Sequence, residues 1–179
     1  IETADVSKLT TDQIVALGTA QVAALKTAQV AALGTAQVAA IETADIGGLA
    51  TAQLRWMGSD QIRAITTDQL SRLSADQLLA ISTANTATLT TDQIVALSTA
   101  QISSLSTAQI VALGSDQLRA IETADVGRMT TTQVAAIETA DVSKLTTDQI
   151  VALGTAQVAA LKTAQVAALG TAQVAAIET

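Results

Sequence analysis

The sequence predicts an all-α fold, a solenoid or superhelix of short helices with one helix in each octapeptide repeat. Three observations support this prediction: an octapeptide that recurs without interruption, a spacing of three between its two large apolar residues, and Thr or Ser where each helix is expected to begin. A register held this strictly is typical of repeat architectures, in which each layer contacts only its neighbours.

The octapeptide begins at Thr3 and recurs in 22 consecutive copies of the form T-[A/D]-Q-[V/I/L]-x-x-[L/I/M]-x. Position 4 is aliphatic everywhere except at Thr86, and position 7 is always Leu, Ile or Met. Residues 1–43 are identical to residues 137–179, which defines a super-repeat of 136 residues, or 17 octads. We therefore predict a single repeat array over 1–179. Because neither end carries an atypical polar capping repeat, we expect it to be a fragment of a longer array.

The spacing of the apolar positions decides between helix and strand. Positions 4 and 7 lie on one face of a helix but on opposite faces of a strand, so the octad favours a helix. One continuous helix does not fit, because eight residues advance the apolar stripe by about 80° beyond two full turns. We expect one short helix per octad, with Thr at position 1 as its N-cap and a bend at position 8, where Gly, Ser and Thr are frequent.

Polar residues give the octad a helical polarity. Carboxylates follow position 1 in the first turn, where the helix dipole favours them, as at Asp60 and Asp68. The pairs Asp60–Arg63 and Asp68–Arg72 have the spacing of ion pairs on a helix surface. Gln occupies position 3 in 17 octads, and we expect it to form hydrogen bonds between layers. Octad 83–90 lacks both this Gln and the aliphatic residue at position 4, so we expect it to fray first.

The composition argues against several classes of function. Phe, Tyr, Cys and His are absent, and the Ser and Thr hydroxyls recur at one helix-capping position, so we predict neither an enzyme nor a cofactor-binding protein. The net charge of −7 repels phosphate backbones, and we expect no nucleic-acid partner. The uncharged stretch 93–115 contains three Gln among Ser and Thr, so we expect no membrane span.

The segment IETAD occurs four times and places two carboxylates three residues apart. Paired carboxylate oxygens are calcium ligands, particularly where two such segments meet on adjacent coils. The alternative is that the acids lie at helix N-termini and keep the array soluble, since the sequence has no Asp-rich glycine loop. The candidate residues are Glu2, Asp5, Glu42, Asp45, Glu122, Asp125, Glu138 and Asp141.

A second candidate site is the octad that departs most from the average. Arg55, Trp56, Met57 and Arg63 form a cluster of residue types that are enriched at protein interfaces. The alternative is that Trp56 is a tolerated variation at a surface position. The cluster predicts either self-association or a protein partner.

Two resemblances to known families add to these expectations. The TAQ and TDQ octads, which cover the whole chain, resemble octapeptide repeat tracts in large bacterial surface and secreted proteins of the adhesin-like kind. The phrase LTTDQIVAL at residues 9–17 is similar to the helix phrase LTPEQVVAI of transcription activator-like effectors, which implies a helix beginning just after a Thr. That second similarity covers nine residues and lacks the longer period and paired specificity residues of those DNA-binding proteins.

The first resemblance implies a structural repeat region of a large bacterial surface or secreted protein, acting as an extended spacer or filament-forming element. It implies an extracellular or cell-surface location. A protein-binding solenoid scaffold is the alternative from another class, and an engineered repeat array is a further possible origin of the internal copying.

Overall fold

The computed structural model of the chain describes residues 2–177, so both ends of the predicted array 1–179 and the last residue of its final octad lie outside the described part. Each octad contributes one helix. The α-helices are α1 (Thr3–Val6), α2 (Thr11–Val15), α3 (Thr19–Ala23), α4 (Thr27–Ala31), α5 (Thr35–Ala40), α6 (Thr51–Arg55), α7 (Ser59–Ala64), α8 (Thr67–Ser71), α9 (Ala75–Ala80), α10 (Thr83–Thr86), α11 (Thr91–Val95), α12 (Thr99–Ser104), α13 (Thr107–Ala112), α14 (Ser115–Ala120), α15 (Thr123–Val126), α16 (Thr131–Ala136), α17 (Thr139–Val142), α18 (Thr147–Val151), α19 (Thr155–Ala159), α20 (Thr163–Ala168) and α21 (Thr171–Ile177). A 3₁₀ helix (Ile46–Gly48) occupies the octad between α5 and α6.

These helices wind into a superhelix whose turns stack on one another. Helices three octads apart pack together, as α2 does with α5, α11 with α14 and α18 with α21. Side-chain hydrogen bonds between layers join residues 25 to 31 positions apart. One turn therefore takes about three and a half octads, and the predicted α-solenoid with one helix per octad is confirmed.

The interior is built from positions 4 and 7 of the octad. Their side chains form one continuous core, in which the position-4 residues from Val6 to Ile150 are 2% exposed or less. Positions 1, 2 and 5 mostly face the solvent. Large aromatic rings are not needed, because the core of each layer is only as wide as the aliphatic side chains that meet on its axis. None of the helices between residues 2 and 177 is long and apolar enough to cross a membrane.

The predicted position of the helix N-cap is wrong by one residue. The N-cap is position 8 of the preceding octad, as at Thr10 and Gly18, and the Thr at position 1 is the first residue inside the helix. Position 8 is extended, with φ −74° and ψ 163° at Gly34, and no glycine in the described residues has a positive φ. Gly is therefore one of several residues that fit position 8. The carboxylates at position 2 lie in the first turn, as predicted.

Close approach of neighbouring turns explains two other glycines. A Cβ atom on Gly48 would lie 2.8 Å from the carbonyl oxygen of Thr19, and one on Gly127 would lie 2.9 Å from that of Ala152. Gly47 precedes Gly48, and two successive glycines disfavour an α-helix, which accounts for the 3₁₀ helix in this octad. Backbone packing between turns thus limits the side chains allowed at these positions.

Candidate functional site

The glutamine at position 3 joins each octad to the turn before it. Gln93 is buried, and its Oε1 accepts a hydrogen bond of 2.9 Å from the backbone N–H of Thr90, the N-cap of its own helix. Its Nε2 donates to the carbonyl oxygens of Ile62 and Ile65, four octads earlier, at 3.0 and 2.7 Å. One side chain therefore caps a helix and holds the preceding turn.

This arrangement recurs along the array, and we call it the glutamine ladder. The residues whose Nε2 donates to a carbonyl of the preceding turn are Gln37, Gln53, Gln61, Gln69, Gln77, Gln93, Gln101, Gln109, Gln117, Gln133, Gln149, Gln157, Gln165 and Gln173. The predicted bonds between layers are confirmed, but their acceptors are backbone carbonyls and not other glutamines. These carbonyls belong to residues at position 7 and, for most ladder glutamines, also at position 4, so the ladder satisfies backbone groups of the core residues.

Aspartate replaces this glutamine in the IETAD segments, and it makes a different bond between turns. The Asp125 carboxylate accepts a hydrogen bond of 2.5 Å from the Thr99 hydroxyl, which belongs to position 1 of the octad three before it. Asp45 accepts from the Thr19 hydroxyl in the same way, and Asp141 from the Ser115 hydroxyl. Sequence patterns did not reveal these hydroxyl partners, because a separation of 26 residues gives no local signal.

Octad 83–90 keeps a reduced form of the ladder. Asn85 Nδ2 donates to the Met57 carbonyl oxygen at 2.8 Å, but the shorter side chain makes no bond to its own N-cap backbone N–H. Thr86 is buried at position 4, and its hydroxyl donates to the Ser82 carbonyl oxygen at 3.0 Å. The octad therefore has fewer side-chain bonds to the preceding turn and less apolar burial than its neighbours. Fraying at this octad stays a prediction.

The carboxylate pairs are dispersed along the superhelix. Glu42 is exposed while Asp45 is buried and bonded to a hydroxyl, and Asp5 forms an exposed ion pair with Lys8 at 3.3 Å. Within residues 2–177 no three carboxylates gather where a metal ion would bind. Calcium binding by Glu2, Glu42, Glu122, Glu138 and the aspartates that follow them stays a prediction that circular dichroism with and without calcium tests.

The Arg55–Arg63 cluster is only partly a surface feature. Trp56 is 69% exposed, and Arg55 and Arg63 are exposed too, but Met57 occupies position 7 and is buried in the core. Met57 is thus not a contact residue. Its place at position 7 of the octad, where Leu, Ile or Met always stands, already indicated that it is a core residue. Trp56 borders an open surface cavity of about 210 Å³ lined also by Thr27, Ala28 and Ala31.

The two arginine ion pairs predicted from helical spacing are not formed. Lys8–Asp5 is the single salt bridge among the described residues, and both its side chains are more than half exposed. Exposed pairs of this kind contribute little to stability. No buried side-chain nitrogen or oxygen in residues 2–177 lacks a hydrogen-bond partner. Most of the buried polar side chains in this range join one turn to another, as those of Gln93 and Asp125 do.

A superhelix of capped octad helices, joined by a repeated polar residue, defines a helical repeat protein. The ALTTAQ repeat family matches residues 1–35, 38–75, 91–120, 118–155 and 151–179, and the chain belongs to this family. The six letters correspond to positions 6, 7, 8, 1, 2 and 3 of the octad, as in ALSTAQ at 96–101, so they span the core leucine, the N-cap and the ladder glutamine. No curated protein matches the chain.

The glutamine ladder predicts unequal effects of the same substitution. Gln93→Ala removes the bonds to the preceding turn together with a helix cap, and we expect it to lower the free energy of unfolding by about 3 kcal/mol. Gln13 is exposed and bonds only the Thr10 N–H, so Gln13→Ala is expected to cost less than about 1 kcal/mol. Urea denaturation followed by circular dichroism measures both. Equal losses would show that the bonds between turns are unimportant.

The carboxylate–hydroxyl bond predicts a second contrast. Thr99→Val keeps the shape of the side chain but removes the donor to Asp125, and we expect a loss of about 2 kcal/mol. Thr91 occupies the same octad position without a hydroxyl bond to another turn, so Thr91→Val is expected to change stability by less than about 0.5 kcal/mol. A double-mutant cycle with Asp125→Ala separates the pair from its surroundings, and no coupling between the two sites would contradict this role.

Proposed function

We propose that the chain is a structural repeat region of a large bacterial surface or secreted protein, in which it acts as an extended spacer or filament-forming element. The observation that carries the proposal is the uniform contact between turns. Every ladder glutamine from Gln37 to Gln173 donates its Nε2 to a position-7 carbonyl oxygen of the preceding turn. Each added octad therefore lengthens the array and leaves its cross-section unchanged.

In this proposal the number of octads sets the length of the spacer. The accessible surface of the chain is 8546 Å², and a compact monomer of its mass has about 8100 Å². At this number of octads the superhelix therefore exposes little more surface than a compact monomer. With helices packed 8–10 Å apart, roughly six turns give a rod about 50–60 Å long. A tract with many more octads becomes long and thin, as a spacer requires.

The lack of catalytic groups supports a structural role. The sequence has neither His nor Cys, and hydroxyls such as those of Thr90 and Ser98 accept hydrogen bonds at helix N-termini. We propose that the chain carries out no reaction and holds no cofactor. The extracellular location in the proposal rests on the resemblance of the octads to surface-protein repeats.

An insertion tests the spacer role directly. A second copy of residues 59–114 placed after Gly114 adds seven octads, or about two turns, with Ser59 following a glycine as it does in the native chain. We expect small-angle X-ray scattering to show a maximum dimension longer by about 16–20 Å at constant cross-section. A compact globule would instead expand by about a tenth in all directions, and that result would refute the proposal.

A protein-binding scaffold is the second candidate, and the exposed Trp56 is the observation that favours it. Trp56 is 69% exposed, Arg55 and Arg63 are exposed as well, and Trp and Arg are enriched at interface hot spots. If this function is correct, Trp56→Ala weakens capture of a specific protein from cell-envelope extracts at least tenfold, whereas Val95→Ala, at another exposed site, does not. Unchanged capture by the Trp56 variant would contradict it.

A further inference from the structure

One side of the rod carries a continuous strip of small or apolar side chains. It begins at the open cavity between Ala28 and Trp56, which are 28 residues, or one turn, apart. The hydrogen bond from Asn85 to the Met57 carbonyl oxygen then places the following turn against the residue next to Trp56. We call this surface the side strip, and Ala28 and Lys162 mark its two ends.

Two adjoining cavities continue the side strip over the next turns. The residues that line the first include Thr83, Ala108, Val111, Ala136 and Lys162. Three of these residues also line the second, an open cavity of about 510 Å³ whose acidic residue is Glu138, and we call it the Glu138 cavity. The side strip crosses six successive turns, since 25 to 28 residues separate the members of the series Ala28, Trp56, Thr83, Val111, Ala136 and Lys162.

Two parts of the side strip have complementary chemistry. Arg55 and Trp56 are consecutive exposed residues, and Trp56 is the only aromatic residue of the chain. About three turns further along, the Glu138 cavity offers the apolar side chains of Val111 and Ala136 together with an exposed carboxylate. Neither Arg55 nor Glu138 forms an ion pair within residues 2–177. One part therefore presents an indole ring and a cation, and the other presents a cavity and an anion.

We infer that two copies of the chain pair side by side and antiparallel, with Arg55 and Trp56 of each copy seated in the Glu138 cavity of the other. The inference names a second copy as the partner of the exposed Trp56 and goes beyond the spacer role. It needs only the side of the rod, which further octads leave unchanged.

The spacing of the two parts permits a closed pairing. Trp56 and Glu138 are 82 residues, or about three turns, apart. A two-fold axis halfway between them and perpendicular to the rod brings each Trp56 to the partner's cavity, so both contacts form at once. The surface beside that axis is lined by Thr83, Thr107 and Ala108, whose short side chains let the two rods approach closely.

The contact satisfies the groups that the free chain leaves exposed. The Trp56 ring covers Val111, which is 44% exposed, and packs on Ala136. Arg55 pairs with Glu138, so the charges of the two copies are complementary where they meet. Lys162 lines the same cavity, and its ammonium group reaches the face of the inserted ring.

The side strip is long enough for a stable interface. It spans five intervals between turns, and with turns packed 8–10 Å apart this is about 40–50 Å. A contact about 16–20 Å wide along this length covers roughly 800 Å² of each copy, the size of a standard interface between proteins. Because the two-fold pairing is closed, it yields dimers and nothing larger.

Charge reversal tests the pairing, with sedimentation equilibrium as the measurement. Arg55→Glu sets two carboxylates against each other at both contacts, and Glu138→Arg sets two cations against each other. We expect each variant alone to dimerise roughly 100-fold more weakly than the unaltered chain. An equimolar mixture of the two variants forms mixed dimers, because opposite charges then meet at both contacts, and the double variant dimerises like the unaltered chain.

Two control variants make the same charge changes elsewhere on the rod. Arg72 is exposed 16 residues after Trp56, more than half a turn away, and Glu122 stands in the same IETADV sequence as Glu138 but 11 residues after Val111, more than a third of a turn away. Arg72→Glu and Glu122→Arg are expected to dimerise like the unaltered chain. A loss of dimers in either control would assign the effect to net charge and contradict the pairing.

Trp56→Ala tests the apolar half of the contact and is expected to weaken dimerisation by roughly 100-fold or more, since each dimer contains the ring twice. All the substituted positions are exposed, and circular dichroism checks that the variants fold. An unaltered chain that stays monomeric at its solubility limit, or a mixture of the two charge variants that stays monomeric, would overturn the inference. A monomeric rod refutes only this pairing, whereas a round particle refutes the spacer role.

Discussion

The architecture depends on one amide side chain used at both of its ends. The Oε1 atom of the position-3 glutamine caps its own helix, and its Nε2 atom holds carbonyl groups of the preceding turn, as Gln93 does with Thr90, Ile62 and Ile65. A helix of five or six residues is unstable alone, because few of its backbone groups are paired internally. Because the same residue caps the helix and bonds the preceding turn, each helix is stable only when it is stacked on that turn.

Where Asp or Asn replaces glutamine at position 3, the replacement performs only part of the glutamine's two functions, capping its own helix and bonding the preceding turn. Asp125 accepts a hydrogen bond from the Thr99 hydroxyl of another turn and donates to no carbonyl group there. Asn85 keeps one carbonyl partner but makes no bond to the backbone N–H of its N-cap residue. Glutamine combines the two functions because its amide lies one methylene further from the backbone than that of asparagine. Three of the aspartates at position 3 accept a hydrogen bond from a hydroxyl of the neighbouring turn. The fourth, Asp5, forms an ion pair with Lys8.

Much of this fold is readable from the octad. The spacing of positions 4 and 7 predicts the helix and its buried face, and the absence of Phe and Tyr predicts a narrow core. The N-cap was also readable, because Thr10 and Gln13 form the S/T-x-x-Q pattern of a capping box that spans two octads. The same register places Met57 at a buried position. The number of octads per turn could not be predicted from the sequence. Because the octads are so similar, any choice of which octads pack against each other between turns brings together the same residue types. The partnership of Asp125 with Thr99 therefore becomes visible only in three dimensions.

A turn of about three and a half octads staggers successive turns by half an octad, so each helix lies across the junction between two helices of the turn below. The bends of adjacent turns therefore do not align along the axis, and a bend in one turn lies against a helix of the next. The stagger also means that a side chain returns to the same side after seven octads. Arg63 and Arg119 are 56 residues apart, as are Arg72 and Arg128, so these pairs mark common stripes along the rod.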